Sequence, residues 1–103
     1  MRILIGDGSE QFVENLSTLL QLDGHVVIST RNGRSLVLFA LLLQPDAVLL
    51  DTQLPEVDGI EAATRIQSSM LVVPRLIALI ARPSEQTRAL AAGFDDYLAK
   101  PLD

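Results

Sequence analysis

Short apolar runs recur along the chain at Ile3–Ile5, Val26–Ile28, Ala47–Leu50 and Leu76–Ile80, with a weaker one at Tyr97–Ala99. Each run is continuous rather than alternating, as expected of parallel strands covered on both faces. The stretches between them carry apolar residues at helical spacing: Phe12, Leu16, Leu19 and Leu20, then Leu36, Phe39, Ala40 and Leu43. Gly24 and Gly93 stand where a helix C-terminus favours a left-handed residue, and Asn32-Gly33 marks a turn. The pattern reads β-α-β-α-β-α-β-α-β, which right-handed crossovers wind into an open, doubly wound α/β sheet. Ligands of such sheets bind beyond the carboxyl ends of the strands, at the switch point in strand order. The residues that end strands are therefore the chemical candidates: Asp7 after the first, Asp51 at the third, Ile80 on the fourth and Lys100-Pro101 after the fifth.

Composition narrows the function classes. The 103 residues form one domain, residues 1–103, with no repeat, low-complexity tract or linker. A chain of this length buries about two-thirds of its extended-chain surface. With 49% apolar and only 4% aromatic residues, that core is aliphatic. The net charge of -5 gives no basic face for direct nucleic-acid binding. The absence of cysteine excludes disulfides and thiolate chemistry and fits a cytoplasmic location. The longest apolar run, Leu36 to Leu43, is too short to span a bilayer, and "MRILIGDG" lacks the apolar segment of a signal peptide.

Asp51 leaves a buried strand directly into "TQLPEVDG". A carboxylate there can act as the nucleophile of phosphoryl transfer, forming an acyl phosphate; the plainer alternative is a turn or cap aspartate. The haloacid-dehalogenase phosphatases need a second aspartate two residues on, where this chain has Gln53. "GDGSEQ" lacks the third glycine of a dinucleotide fingerprint and the acids of a calcium loop.

"PDAVLLDTQLPEVDGIEAATRI" and "AGFDDYLAKP" resemble the receiver domain of bacterial two-component response regulators, and the similarity runs from Arg2 to Asp103. The resemblance implies a flavodoxin-like fold, a five-stranded parallel sheet in the order 2-1-3-4-5. It implies that Asp51 accepts a phosphoryl group from a histidine kinase or phosphotransfer protein, with Lys100 as its ammonium partner. It also implies a Mg²⁺ site built from Asp7, Asp51 and the backbone carbonyl of Gln53, and a switch pair at Ile80 and Tyr97. With the first and third strands about 4.8 Å apart, Asp7 and Asp51 converge, and a divalent cation relieves their repulsion. The Lys100–Pro101 peptide bond is commonly cis in the family.

Two positions depart from the family pattern. Gly8 replaces the second acid of the first loop, the direct metal ligand, so the expected Mg²⁺ site is weak. Ile80 replaces the Thr or Ser that contacts the phosphoryl group, which removes a hydrogen-bond donor and fills the pocket that the Tyr97 ring would enter. Ser9, Glu10 and Asp58 are expected to serve helix starts, and Asp95 and Asp96 to be structural. His25, the only histidine, opens the second strand and is not expected to act as a phosphoryl donor. The family's last helix is missing, since the chain stops at "KPLD"; apolar sheet surface would then face solvent, a partner or a second copy of the chain in a homodimer. The expected function is that of a phosphorelay receiver with impaired metal and switch chemistry, not an enzyme, working with a fused or separate output domain. The alternative is a pseudo-receiver that docks partners irrespective of phosphorylation.

Overall fold

The computed structural model describes residues 1–100. The Lys100–Pro101 bond, with its expected cis geometry, lies outside the described residues. Five strands, β1 (Arg2–Gly6), β2 (Val26–Thr30), β3 (Ala47–Asp51), β4 (Arg75–Ile80) and β5 (Asp96–Ala99), form a parallel sheet in the order β2-β1-β3-β4-β5. Helices α1 (Glu10–Leu22), α2 (Gly33–Leu43), α3 (Gly59–Ser69) and α4 (Glu85–Ala91) make the crossovers. This is the flavodoxin-like arrangement that the resemblance implies.

Alternation along each strand divides the core in two. Leu4, Val48, Leu50, Leu76, Ala78 and Ile80 face α2, α3 and α4 and pack with Leu36, Ala40, Ala62 and Ile66. Ile3, Ile5, Ala47, Leu49 and Leu79 face the other way and pack with Val13, Phe12 and Leu16 of α1. Among the described residues α1 is the only helix on this second face. The sheet is open beside it, with Leu19 66% and Leu98 48% exposed. The expectation that every strand is covered on both faces therefore fails at β5, whose residues are mostly exposed.

Short polar side chains start the helices. Ser9 accepts a hydrogen bond from the Phe12 N–H, Asn32 from Ser35 and Asp58 from Glu61, satisfying amide donors that a helix N-terminus leaves unpaired. Asn32-Gly33 is thus a cap and first helical residue rather than a free-standing turn. Gly24 (φ 91°) and Gly93 (φ 95°) take the left-handed conformation expected of them. Asp95 accepts from the Leu76 N–H at 2.8 Å and so fixes the start of β5 against β4.

Candidate functional site

The strand order brings the ends of β1, β3 and β5 to one rim. Asp7 follows β1 and is only 1% exposed; its Oδ1 accepts from the Ser9 N–H at 2.9 Å. Asp51 ends β3, and its Oδ1 accepts from the Gln53 N–H at 2.9 Å. Both are aspartate turns in which the side chain binds the backbone two residues on, and each leaves Oδ2 pointing at the same cation. Lys100, held in register by its N–H to the Ile80 carbonyl at 2.8 Å, places Nζ 2.5 Å from Asp51 Oδ2 and 2.6 Å from Asp7 Oδ2. The contact to Asp7 is an ion pair by distance, but its angles leave the buried Oδ2 without an aligned hydrogen bond. Charge attraction at this range does not require alignment.

Lys100 is the only lysine in the chain. Its side chain is 17% exposed, as is that of Asp51, and its ammonium sits 5.3 Å from the centre of the Phe12 ring. Burial pulls the Lys100 pKa down, but hydrogen bonds and charge attraction from Asp51 and Asp7 outweigh it and hold the pKa above its ordinary value. Two carboxylates and one ammonium leave the cluster with one net negative charge.

The loop after β3 is fixed by close backbone contact. A Cβ on Gly59 would fall 1.9 Å from the Asp51 carbonyl oxygen, so only glycine lets the start of α3 press against the end of β3. Its N–H donates to the Thr52 carbonyl at 3.0 Å. The Pro55 carbonyl accepts from the Gly33 N–H at 3.1 Å and pins the loop to the start of α2. These contacts give physical content to the spacing of Asp51, Pro55 and Asp58-Gly59.

Of the remaining expected residues, Gln53 and Gly8 adjoin this rim, whereas Ile80, Tyr97 and His25 turn away from it. Ile80 is 3% exposed and buried in the core on the α3 and α4 side. Tyr97 packs, half-buried, against the same cluster. Gln53 is exposed, with its backbone N–H on Asp51. Gly8 is exposed, and a Cβ there would meet nothing within 4 Å. His25 lies at the start of β2, at the opposite end of the sheet, with Nδ1 3.1 Å from the chain's terminal amine.

Sequence reasoning missed Glu85. Its Oε2 accepts from the Ala81 and Arg82 N–H groups at 2.7 and 3.0 Å, and its Oε1 from Thr52 Oγ1 and Gln53 Nε2, each at 3.4 Å. Burial raises its pKa, but the Arg82 and Ala81 amides, Thr52 and the Arg82 charge bring it below its ordinary value. The one signal in the sequence is an acid in the first turn of a helix that closely follows a strand.

Among the described residues no three His, Cys, Asp or Glu side chains are grouped to hold a metal ion. The oxygen donors of Asp7 and Asp51 nevertheless suit Mg²⁺, which keeps several waters and needs few protein ligands, and Asp7 Oδ2 is a buried acceptor without an aligned donor. The residues present fit such an ion, in competition with Lys100 for the same oxygens.

The model of the response regulator receiver domain matches residues 3–103. Response regulator MprA of Mycolicibacterium vanbaalenii is 37% identical over 99% of this chain and 45% of its own length. The chain thus spans less than half of that relative. The receiver domain of a sensor histidine kinase from Pseudomonas aeruginosa PAO1, solved with a magnesium ion coordinated in its active-site cleft, is 32% identical. It superposes with a TM-score of 0.88 over 99% of this chain and 86% of that one. The Saccharomyces cerevisiae co-crystal of the histidine phosphotransfer protein Ypd1 with the receiver domain of Ssk1 contains a chain 25% identical, with a TM-score of 0.89 over 100% of this chain and 80% of that one.

Proposed function

Because the chain belongs to the family of response regulator receiver domains, the modules of two-component signalling, we propose that Asp51 is its phosphoacceptor. The observation that carries this reading is the convergence of Asp7, Asp51 and Lys100 at the carboxyl rim of the sheet. A carboxylate oxygen of Asp51 forms a bond to phosphorus as the phosphorus–nitrogen bond of a phosphohistidine breaks, and the electron pair leaves with the imidazole. Lys100 moves its charge from carboxylate to phosphoryl oxygen, and the Gln53 N–H keeps the Asp51 side chain oriented during attack. Asp7, Asp51 and the Gln53 carbonyl would hold Mg²⁺, which supplies charge neutralisation at the phosphoryl oxygens. With Gly8 in place of a second acid, that binding is weak.

The donor is a histidine kinase or phosphotransfer protein, a reading supported by the Ypd1–Ssk1 complex among the structural neighbours. The greater length of the relatives supports an output domain elsewhere in the working protein. A cytoplasmic site of action is proposed on family membership; no helix of the described residues is long and apolar enough to cross a membrane. Incubation with Mg²⁺ and acetyl phosphate, followed by intact mass measurement, tests the assignment. A phosphoryl adduct is expected on the wild type and none on Asp51→Asn; an unmodified wild type sinks it. One observation favours the second reading, a docking module independent of phosphorylation. Lys100 already pairs with both carboxylates of the rim, and Ile80 offers no donor, so partner affinity unchanged by Asp51→Asn would select that reading.

A further inference from the structure

We infer that Glu85 is a positioning residue for Asp51, tying together the two loops that flank the acceptor carboxylate. On one side its carboxylate holds Thr52 Oγ1 and Gln53 Nε2, the first two residues after Asp51. On the other it holds the Ala81 and Arg82 N–H groups, the first two after β4. Gln53 is the shared element, because its backbone N–H orients Asp51 Oδ1 while its side chain reaches Glu85. Asp51 pairs with Leu79 in the β3–β4 register, so the two loops leave neighbouring strands side by side. Displacing Glu85 therefore frees both loops together, including Thr52 and Gln53, the residues next to Asp51.

The arrangement has a consequence for the acceptor. A carboxylate is an anion seated on paired backbone donors, and a phosphoryl group on Asp51 adds anionic oxygens at the same rim, where like charges repel. Glu85 would thus resist modification and be expelled by it, moving the start of α4, which it also opens. Such a lever needs no donor at Ile80. The lowered pKa of Glu85 agrees with an ionised carboxylate held by these donors.

Wild type, Glu85→Gln and Glu85→Ala decide the matter by two readouts. In the unmodified proteins, amide hydrogen exchange followed by NMR is expected to quicken at Ala81 and Arg82, most in Glu85→Ala. It is also expected to quicken at Gln53, whose N–H Glu85 does not touch. An unmoved Gln53 amide reduces Glu85 to a local cap and overturns the inference. With acetyl phosphate and Mg²⁺, Glu85→Gln is expected to gain adduct roughly two- to fivefold faster, on the scale of one partly exposed charge; equal rates overturn the inference. This second readout rests on the phosphoacceptor reading. If no protein gains an adduct, that reading falls, and the exchange of Gln53 alone decides the positioning role.

Discussion

Replacing Lys100 with methionine keeps the length and apolar stem of the side chain and removes the one charge that holds Asp7 and Asp51 together. Breaking a buried ion pair by removing one partner costs about 3–5 kcal/mol, because the remaining charge is stranded. Here Asp7 is 1% exposed, whereas Asp51 and Lys100 are each 17% exposed. Screening at the two latter groups lowers the expected loss to about 2–4 kcal/mol. For a domain of this size that is a fall in Tm of roughly 10–25 °C at neutral pH. The vacated position between two carboxylates should then depend on an added cation. Mg²⁺ is expected to raise the Tm of Lys100→Met more than that of the wild type, stabilising the variant by about 2.7 kcal/mol at a hundredfold excess over its Kd.

The pH dependence has a definite sign. The Lys100 pKa is raised on folding, so its contribution is fully present below 10.5, the ordinary value, and is lost as pH rises through the folded value. The stability difference between wild type and Lys100→Met should be flat from neutral pH up to that point and shrink above it. Thermal melts monitored by circular dichroism, with and without Mg²⁺ and across alkaline pH, measure all three effects. A variant that melts within a few degrees of wild type, and that Mg²⁺ stabilises equally, would refute the reasoning.

Gly8→Asp should tighten Mg²⁺ binding at least roughly tenfold, on the scale at which partners of metal ligands act; calorimetric titration measures it, and unchanged affinity refutes the proposed role of Gly8 in limiting metal binding. Ile80→Thr alone should cost about 1–3 kcal/mol in urea unfolding, since its hydroxyl enters an apolar cluster; an undiminished urea midpoint would place the side chain at the polar rim instead. Gly59→Ala should lose roughly 3 kcal/mol, the upper range for overpacking, because its Cβ falls 1.9 Å from the Asp51 carbonyl oxygen; phosphorylation at wild-type rate in a stably folded variant would contradict the need for glycine. Gln44 holds φ 48° at the C-cap of α2, so Gln44→Gly should stabilise by about 0.5–1 kcal/mol, read as a raised urea midpoint at constant m.

The parts of the fold legible in the sequence are those where one physical cause acts alone. β1, β3 and β4 are buried on both sides, so their apolar runs are unbroken and mark them directly. β5 is an exposed edge, and the same rule gives it only a faint signal. Asn32-Gly33 has two uses in a chain, turn and helix cap, and the sequence alone does not choose between them; the Ser35 amide does. At the site, Asp7, Asp51 and Lys100 were legible because topology sends strand ends to a common rim. Glu85 was not, because its closest partners are backbone N–H groups, which every residue carries and no pattern marks.

The two departures from the family pattern are physically unlike each other, a difference that sequence comparison alone hides. Gly8 stands in the open, where any side chain would meet nothing within 4 Å. Its missing carboxylate is a loss of chemistry without a gain in packing, and substitution there carries little steric cost. Ile80 lies on the opposite side of the sheet from Ile77 and Leu79, sealed among core residues with Ala78, Ala89 and Phe94. Its side chain contributes burial on the order of 1.5–3 kcal/mol, so the lost hydroxyl is offset by stability. Metal affinity is therefore open to change by a single substitution, whereas the threonine contact is locked behind packing that would have to be rebuilt. On the phosphoacceptor reading proposed above, such a domain transmits its state by a route other than an Ile80–Tyr97 exchange, and the contacts of Thr52 and Gln53 with Glu85 are polar links from the residues after Asp51 to α4.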